Sequence, residues 1–330
     1  MQLFGTHGGK EVYAYTLEND ELKVTLISLG ATIQNIQVKK AGNRSVALGY
    51  DNLQSYIEKS NYFGATIGRV GNRISNGKFS LNGKQYTVEK NDGNNCLHGG
   101  FHGFDSRIFA AEQSGNTVTF TLTSEDGDGG FPARLKLKVV YTLEGGALNI
   151  AYTAVSDGDT VWNPTNHTFF NLGGKPEKVY STKLKINADK FTPINGDLVP
   201  TGELKSVKST VFDFTEYKEI GKEINSNDEQ LKLTGGGYDH NFVLNGKLAA
   251  EAQCDGVKLE VYTDMPGVQF YSANFLDGAK CANGVYGKHY AFCLEPQYFP
   301  DAVNIDGFEK PYLKAGKPQE HYIKLRFTRV

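Results

Sequence analysis

Apolar and polar residues alternate along most of this chain, with a period of two. The stretches 22–26 and 33–38 both carry aliphatic side chains at spaced positions, and Gly30 lies between them. Residues 135–141 and 148–152 repeat the pattern on either side of Glu144-Gly-Gly. A period of two interrupted by glycine predicts antiparallel strands joined by tight turns.

The same pattern recurs to the end of the chain, whereas helical periodicity is rare. Two short helices are expected, at 52–58 and 217–224, and the stretch 225–237 is expected to be a polar loop. No internal repeat, low-complexity tract or linker interrupts the series, so the expected fold class is all-β, a large antiparallel β-sandwich forming one domain over residues 1–330. A β-propeller is the architectural alternative, but it calls for repeats. The further strands are expected at 118–122, 182–186, 241–244, 258–263, 268–274, 290–295 and 322–328.

Composition narrows the class of partner and the compartment. The 35 Lys and Arg residues nearly balance the 37 Asp and Glu residues, which argues against nucleic acid or an anionic membrane as partner. No apolar stretch is long enough to span a bilayer, and the start lacks the basic and apolar regions of a signal peptide. We therefore expect a cytoplasmic protein. Its four cysteines have no metal-ligand spacing, so they are expected to be free thiols.

One strand ends in a carboxylate beside small residues. In the stretch 290–295, Phe292 and Leu294 alternate with Cys293 and Glu295, so one face is bulky and apolar and the other is small. Pro296 follows directly, and we expect it to end the strand because it lacks an N–H. Glu295 is thus well placed to contact a ligand.

Five other polar clusters interrupt the strand pattern, and each brings side chains that strands alone do not need. His98 and His102 lie four apart, but the glycines around them make a helix implausible, so a metal pair on one helical face is not expected. The clusters also lack a phosphate-binding loop, a dinucleotide fingerprint and a G-x-S-x-G motif. They are 64–77 with Asn72 and Arg73, 94–103 with His98, 161–172 with His167, 235–244 with Asp239, and 264–274 with Gln269.

Together these clusters have the chemistry that a neutral polyol requires. Hydroxyl groups both donate and accept hydrogen bonds, so they suit carboxylate, amide and guanidinium partners. The C–H faces of a sugar ring pack on aromatic side chains, which are abundant here.

Six of these motifs, in order, resemble the aldose 1-epimerase (galactose mutarotase) family over nearly the whole chain. The resemblance implies a large antiparallel β-supersandwich that interconverts the α and β anomers of free hexoses such as galactose and glucose. It implies that Glu295 is the general base and His167 the general acid, with Asn72, Arg73, His98, Asp239 and Gln269 binding the sugar. A minor departure is Gly71, where small residues such as Ala are common. The motifs are Gly68-Arg-Val-Gly-Asn-Arg-Ile74 with Gly77, Leu97-His-Gly-Gly100, Asn166-His-Thr-Phe-Phe-Asn-Leu172, Tyr238-Asp-His-Asn-Phe242, Pro266-Gly-Val-Gln-Phe-Tyr271, and Leu294-Glu-Pro-Gln followed by Pro300-Asp-Ala-Val-Asn304.

Mutarotation needs only an acid and a base. The base removes the C1 hydroxyl proton while the acid protonates the ring oxygen, and the two groups reverse roles after the aldehyde turns. No covalent intermediate, metal or redox cofactor is required, so none is expected. The expected partner is a small aldohexose, and the protein is expected to be a monomer or a weak homodimer.

Three other functions are compatible with parts of this pattern. A hexose-6-phosphate epimerase would need an additional cationic cluster for the phosphate, and the motifs hold little Lys or Arg beyond Arg69 and Arg73. A non-catalytic sugar-binding module would not need an acid–base pair. A glycoside hydrolase normally needs two carboxylates flanking the scissile bond, whereas here one Glu is paired with a His.

Overall fold

The computed structural model describes residues 1–59 and 61–330, which are built predominantly from β-strands. Two short α-helices, α1 (Leu53–Glu58) and α2 (Glu229–Leu233), lie in the connections. The strands of the described residues are, in chain order, β1 (Gln2–His7), β2 (Lys10–Glu18), β3 (Leu22–Ile27), β4 (Thr32–Val38), β5 (Arg44–Ser45), β6 (Thr66–Ile67), β7 (Arg73–Ile74), β8 (Lys78–Leu81), β9 (Lys84–Thr87), β10 (Cys96–Leu97), β11 (Ala110–Ser114), β12 (Thr117–Ser124), β13 (Leu135–Glu144), β14 (Ala147–Ser156), β15 (Thr160–Val161), β16 (Thr165–Asn166), β17 (Phe169–Phe170), β18 (Lys183–Ile186), β19 (Ala188–Phe191), β20 (Lys205–Ser206), β21 (Lys218–Glu219), β22 (Asp239–Leu244), β23 (Leu248–Cys254), β24 (Val257–Thr263), β25 (Gly267–Tyr271), β26 (Ala279–Cys281), β27 (Gly284–Tyr286), β28 (Phe292–Gln297), β29 (Tyr312–Leu313) and β30 (Gln319–Arg329).

Three large antiparallel sheets dominate the architecture. The first contains β1 to β5 in chain order. The second has nine strands in the order β11-β12-β13-β14-β30-β24-β23-β18-β21, so the last strand of the chain joins its two halves. The third has six strands in the order β17-β28-β25-β22-β19-β20. Short two-stranded ladders, such as β7 with β10 and β6 with β16, are separate from these sheets.

One apolar core is shared by all three sheets. It contains Val24 of β3, Tyr141 of β13, Phe270 of β25 and Leu325 of β30, each of which is almost completely buried. Burial of such side chains is the main favourable contribution to folding. The predicted all-β sandwich is therefore confirmed.

Most of the predicted elements are confirmed, and local signals explain them. Strands β13 and β14 form the predicted hairpin, in which Glu144 pairs with Ala147 across the glycine turn. Helix α1 begins after Asn52, whose side-chain oxygen accepts a hydrogen bond from the Ser55 N–H at 2.9 Å.

The second predicted helix, at 217–224, is wrong. Lys218 and Glu219 instead form β21 at the edge of the nine-stranded sheet, and a 3₁₀ turn, Ile220–Lys222, follows. The backbone N–H of Ile220 donates to Thr182 O at 2.9 Å, so pairing with β18 and its neighbourhood outweighs a weak helical pattern. A helix does form nearby, as α2, in the stretch that was expected to be a loop.

Pro296 does not end its strand, which corrects a second prediction. Strand β28 begins at Phe292 and continues to Gln297, with Pro296 paired opposite Val268 of β25. On its other side β28 pairs with β17 only at Phe292 and Cys293. Pro296 therefore lies beyond that short ladder, where a missing N–H leaves no hydrogen bond unmade.

Two chain-wide expectations can be compared with the described residues. The four cysteines are free thiols, as predicted. Neither of the described α-helices is long and apolar enough to cross a membrane.

Candidate active site

The register of the six-stranded sheet collects polar side chains on one of its faces. Asp239 of β22 pairs with Tyr271 of β25, which pairs with Cys293 of β28, which in turn pairs with Phe169 of β17. Glu295 lies two residues beyond Cys293, so it shares this face. The alternate residues of these strands enter the apolar core, so this polar face forms the floor of the site.

Two loop residues with left-handed backbone conformations form one wall. Asn72 has a φ of 57° and His98 a φ of 54°. The Asn72 N–H donates to His98 Nδ1 at 3.2 Å, and the Arg73 N–H donates to the side-chain oxygen of Asn72 at 2.9 Å. These bonds link the segments that carry Asn72 and His98, and they hold the side chains of these two residues in place.

Floor and wall enclose a pocket of about 130 Å³. At roughly 30 Å³ for each molecule in liquid water, that is room for about four water molecules, which is the scale of one six-membered ring. Six of the seven predicted site residues line it. Gln269, the seventh, lies behind the pocket on β25, where its Nε2 donates to Asp239 Oδ1 at 2.7 Å. The lining residues are Asn61, Tyr62, Asn72, Arg73, Leu97, His98, His167, Phe169, Asp239, Tyr271, Phe275 and Glu295.

His167 and Glu295 lie next to each other in this pocket. His167 Nε2 is 3.7 Å from Glu295 Oε2, and the two side chains are only 7% and 2% exposed. Burial raises the pKa of Glu295 well above its usual value; Asp239 raises it further and Arg73 opposes the shift. Burial lowers the pKa of His167 to about 4. Glu295 Oε2 has no hydrogen-bond partner in the described structure, so it is available to accept a proton from a ligand.

Two aromatic rings stack on the imidazole of His167, and its two nitrogens face different groups. Phe169 stacks on it with ring centroids 5.0 Å apart, and Tyr62 stacks on it at 5.7 Å. Its Nδ1 lies 3.6 Å from Cys293 Sγ, while its Nε2 faces Glu295. The ring plane and both of its edges are thus defined before any ligand binds, which is the preorganisation that an acid–base group requires.

A second set of charges surrounds the carboxylate of Asp239. Arg73 Nε donates to Asp92 Oδ2 at 2.7 Å, so the Arg73 guanidinium is oriented from outside the pocket. Burial raises the pKa of Asp239, and this shift is opposed by the Arg73 charge and by the Gln269 hydrogen bond. Carboxylate and guanidinium side by side offer both acceptors and donors to sugar hydroxyls.

His98, His167 and Glu295 have the residue types of a metal site, with one possible ligand atom each within 4.8 Å of one another. The hydrogen bonds count against this use of the cluster. Because His98 Nδ1 accepts the Asn72 N–H, the proton of neutral His98 must be on Nε2. An N–H cannot act as a metal ligand, so His98 is suited to donate a hydrogen bond to a bound molecule instead.

Several residues of the site were not foreseen. Tyr62 and Phe275 line the pocket from loops, and neither was named in the sequence, although Phe275 directly follows the cluster at 264–274. Tyr271 could have been found, because it lies two residues after Gln269 and so shares its face of β25. His102, named beside His98 in the sequence, is exposed and pairs with Glu89 at 2.7 Å outside the pocket.

The chain is similar to curated proteins over almost its full length. It is 42% identical to the galactose mutarotases of Bos taurus and Homo sapiens, in each case over 97% of this chain and 95% of the relative. It is 35% identical to the aldose 1-epimerase of Escherichia coli K12, over 97% of this chain and 96% of that protein.

Solved structures show the same architecture. A galactose 1-epimerase from Lactobacillus acidophilus superposes with a TM-score of 0.90 at 29% identity, covering 99% of this chain and 97% of that one. An aldose epimerase homologue from C. elegans also gives a TM-score of 0.90 at 29% identity, covering 97% and 99%. The model of the family described as aldose 1-epimerase matches residues 13–326, and with these identities it shows that the chain belongs to the aldose 1-epimerase family.

Proposed function

We propose that the protein is a mutarotase, an isomerase that interconverts the α and β anomers of free aldohexoses, with galactose and glucose as substrates. The observation that carries the proposal is the buried contact between His167 Nε2 and Glu295 Oε2 inside a pocket of sugar-ring size. The two oxygens that exchange protons in mutarotation are bonded to the same carbon, C1. An acid and a base that serve both must therefore lie close together, as these two groups do.

In the proposed reaction Glu295 removes the proton of the C1 hydroxyl while His167 Nε2 protonates the ring oxygen. The C1–O5 bond breaks and a free aldehyde forms. After rotation about C1–C2, His167 takes the proton back from the C5 hydroxyl as O5 attacks C1. Glu295 returns its proton to the new O1, and the opposite anomer is released. Each positioned acid or base is typically worth about 10²–10⁴ in rate.

The pKa shifts fit a pair that carries a single proton throughout this cycle. The state with ionised Glu295 and protonated His167 receives the closed ring, and the state with neutral His167 and protonated Glu295 holds the open aldehyde. Burial raises the pKa of Glu295 and lowers that of His167 to about 4, so over the intervening range the pair keeps one proton. Moving that proton between partners leaves the net charge of the buried pair unchanged.

The remaining predicted residues are proposed to hold the sugar hydroxyls. Arg73, Asn72 and His98 supply donors, Asp239 accepts, and Gln269 supports Asp239 from behind. Arg73 is the only Lys or Arg among the described residues that line the pocket, which favours a neutral sugar over a sugar phosphate. A cytoplasmic location, a single domain and a monomeric or weakly dimeric state remain predictions from the sequence.

Polarimetry of freshly dissolved α-D-galactose, corrected for the rate in buffer, tests the proposal. Glu295→Gln and His167→Asn are each expected to lower kcat at least about 10²-fold while the protein stays folded, as judged by circular dichroism. His102→Asn is the matched control, since His102 lies outside the pocket, and it should keep the wild-type rate. Wild-type rates in either pocket variant would contradict the roles assigned here. If the wild type acts on glucose 6-phosphate and not on galactose, the proposed substrate class is wrong.

A further inference from the structure

We propose that Cys293 is a positioning residue for the reaction: its thiol partners Nδ1 of His167 in both protonation states and so directs the transferable proton to Nε2. The inference rests on the proposed function, because it explains how the sulfur of Cys293 positions His167, the proposed acid. It starts from the spacing of one strand. Cys293 and Glu295 are two residues apart on β28 and point to the same face.

His167 spans these two side chains. Its Nδ1 lies 3.6 Å from Cys293 Sγ and its Nε2 lies 3.7 Å from Glu295 Oε2. Phe169, which pairs with Cys293 across the ladder, stacks on the same imidazole. A flip of the imidazole would exchange its two nitrogens. The stacked rings of Phe169 and Tyr62 fix the plane of the imidazole. The two orientations of the ring in that plane are not equivalent, because the thiol and the carboxylate are different hydrogen-bond partners.

A thiol suits this position because its sulfur is a weak, uncharged acceptor. When His167 is neutral, its single ring proton is on Nδ1 and donates to the sulfur, so the lone pair of Nε2 faces Glu295 and can take the proton back. When His167 is protonated, Nδ1–H donates to the sulfur. The contact between Cys293 and His167 therefore persists when a proton moves to or from Nε2. It does not strongly favour either protonation state of His167.

Other groups in place of the Cys293 thiol would shift the proton equilibrium between His167 and Glu295. A carboxylate would stabilise the imidazolium and hold the proton on His167. A methyl group would leave Nδ1 buried without a partner and allow either tautomer. The thiol stays protonated, because burial raises its pKa well above the usual value and Glu295 and Asp239 raise it further. It is therefore an uncharged acceptor at any pH at which the enzyme works.

The other groups around His167 do not replace this contact. His98 approaches edge to face, with ring centroids 5.1 Å apart, and Tyr271 does so at 6.4 Å. The charged groups of the pocket are Arg73, Asp239 and Glu295, and the last faces Nε2. Among the described side-chain contacts, Cys293 is the partner of Nδ1.

The tautomer of His167 can be read directly from ring ¹⁵N chemical shifts, assigned with the His167→Asn variant. In the wild type at neutral pH we expect the proton on Nδ1, and in Cys293→Ala we expect a mixture of tautomers. His98 is an internal standard, because its Nδ1 accepts the Asn72 N–H and its tautomer should be Nε2–H in both proteins. A wild-type His167 that carries its proton on Nε2 would overturn the proposal even if no variant folds.

Kinetics provide the second measurement. Cys293→Ala should lower kcat about tenfold with little change in KM, since one hydrogen bond to the acid is lost. Cys293→Ser keeps a donor and acceptor and should recover most of the rate. Cys293→Asp should move the acid limb of the pH profile to higher pH. Cys254→Ala, which removes a thiol from β23 away from the pocket, is the control.

The outcomes separate this inference from the proposed function. If the wild type has no mutarotase activity, the proposed function fails whatever the tautomer. If the wild type is active but Cys293→Ala keeps its tautomer, its rate and its pH profile, the role of Cys293 is refuted while the proposed function stands. A folded Cys293→Ser that loses as much activity as Cys293→Ala also refutes it.

Discussion

Asp92 offers a sharp test of how the pocket holds a sugar, because it acts on Arg73 without lining the pocket. Its Oδ2 accepts from Arg73 Nε at 2.7 Å, and the side chain of Arg73 is 9% exposed while that of Asp92 is 36% exposed. Asp92→Ala removes this partner. The guanidinium then keeps its charge but loses the contact that orients it from the outer side.

The expected size of the effect on sugar binding follows from the exposure of Asp92. A pair with one solvated partner contributes up to about 1 kcal/mol. This corresponds to roughly a fivefold change in an equilibrium constant, since a tenfold change costs about 1.4 kcal/mol. Asp92→Ala should therefore raise the KM for galactose about fivefold. Asp92→Asn keeps an oxygen acceptor and should raise KM about twofold by the same reasoning. The kcat should change little, because Asp92 contacts neither Glu295 nor His167.

The assay is polarimetry of α-D-galactose over a range of concentrations, with kcat and KM fitted separately. Asp157→Ala is the matched control, because it breaks an exposed pair with Arg134, at 3.4 Å, whose residues do not line the pocket. A KM within experimental error of wild type in Asp92→Ala would refute the reasoning. So would a loss confined to kcat, which would mean that Asp92 influences the proton transfer rather than the binding of the sugar.

Two further predictions follow from buried charges. The profile of kcat/KM against pH should fall below about pH 4, where His167 takes a second proton, and should fall again at a pH above the ordinary carboxyl range, where the pair loses its single proton. An acid limb near the ordinary pKa of histidine would contradict this assignment. Arg69 is 2% exposed and donates to Pro132 O at 2.6 Å and Ser124 Oγ at 2.7 Å, so Arg69→Met should lower the free energy of unfolding by about 3 kcal/mol or more in urea titrations. A loss below about 0.5 kcal/mol would show that this network is dispensable.

Arg69 and Arg73 lie in one glycine-rich motif of the sequence, yet the structure separates them. Arg73 reaches the pocket, whereas Arg69 is buried among carbonyl groups of another loop. Adjacent residues in a loop of irregular backbone have no fixed period, so nothing in their spacing shows which way each side chain points.

The strand patterns, by contrast, predicted the positions of several site residues. The alternation at 290–295 placed Glu295 on the small face of its strand, and the register of β28 with β25 has it there. Asp239 and Asn241 are two residues apart on β22 and so share a face, and their pairing with Tyr271 and Gln269 agrees. A period of two is a local property of extended backbone, so it can be deduced without knowing the neighbouring strands.

What the sequence determined by itself is therefore the class of fold, the family and the chemical types of the site residues. The carboxylate on β28, the histidine before β17 and the polar loop residues were all visible as outliers from a strand pattern. These are statements about residue type and local conformation, and both are encoded by neighbours in the chain.

Only the tertiary structure decided the contacts between distant segments. His167 and Glu295 are 3.7 Å apart because β17 and β28 are neighbours in one sheet, and that pairing also brings Cys293 to the other nitrogen of the imidazole. Likewise, Asp92 reaches Arg73 and Tyr62 covers His167 through loops without periodic signals. Register and loop packing minimise the free energy of the whole chain rather than of any one segment, so the pKa shifts and the proton path that depend on them become visible only in the folded protein.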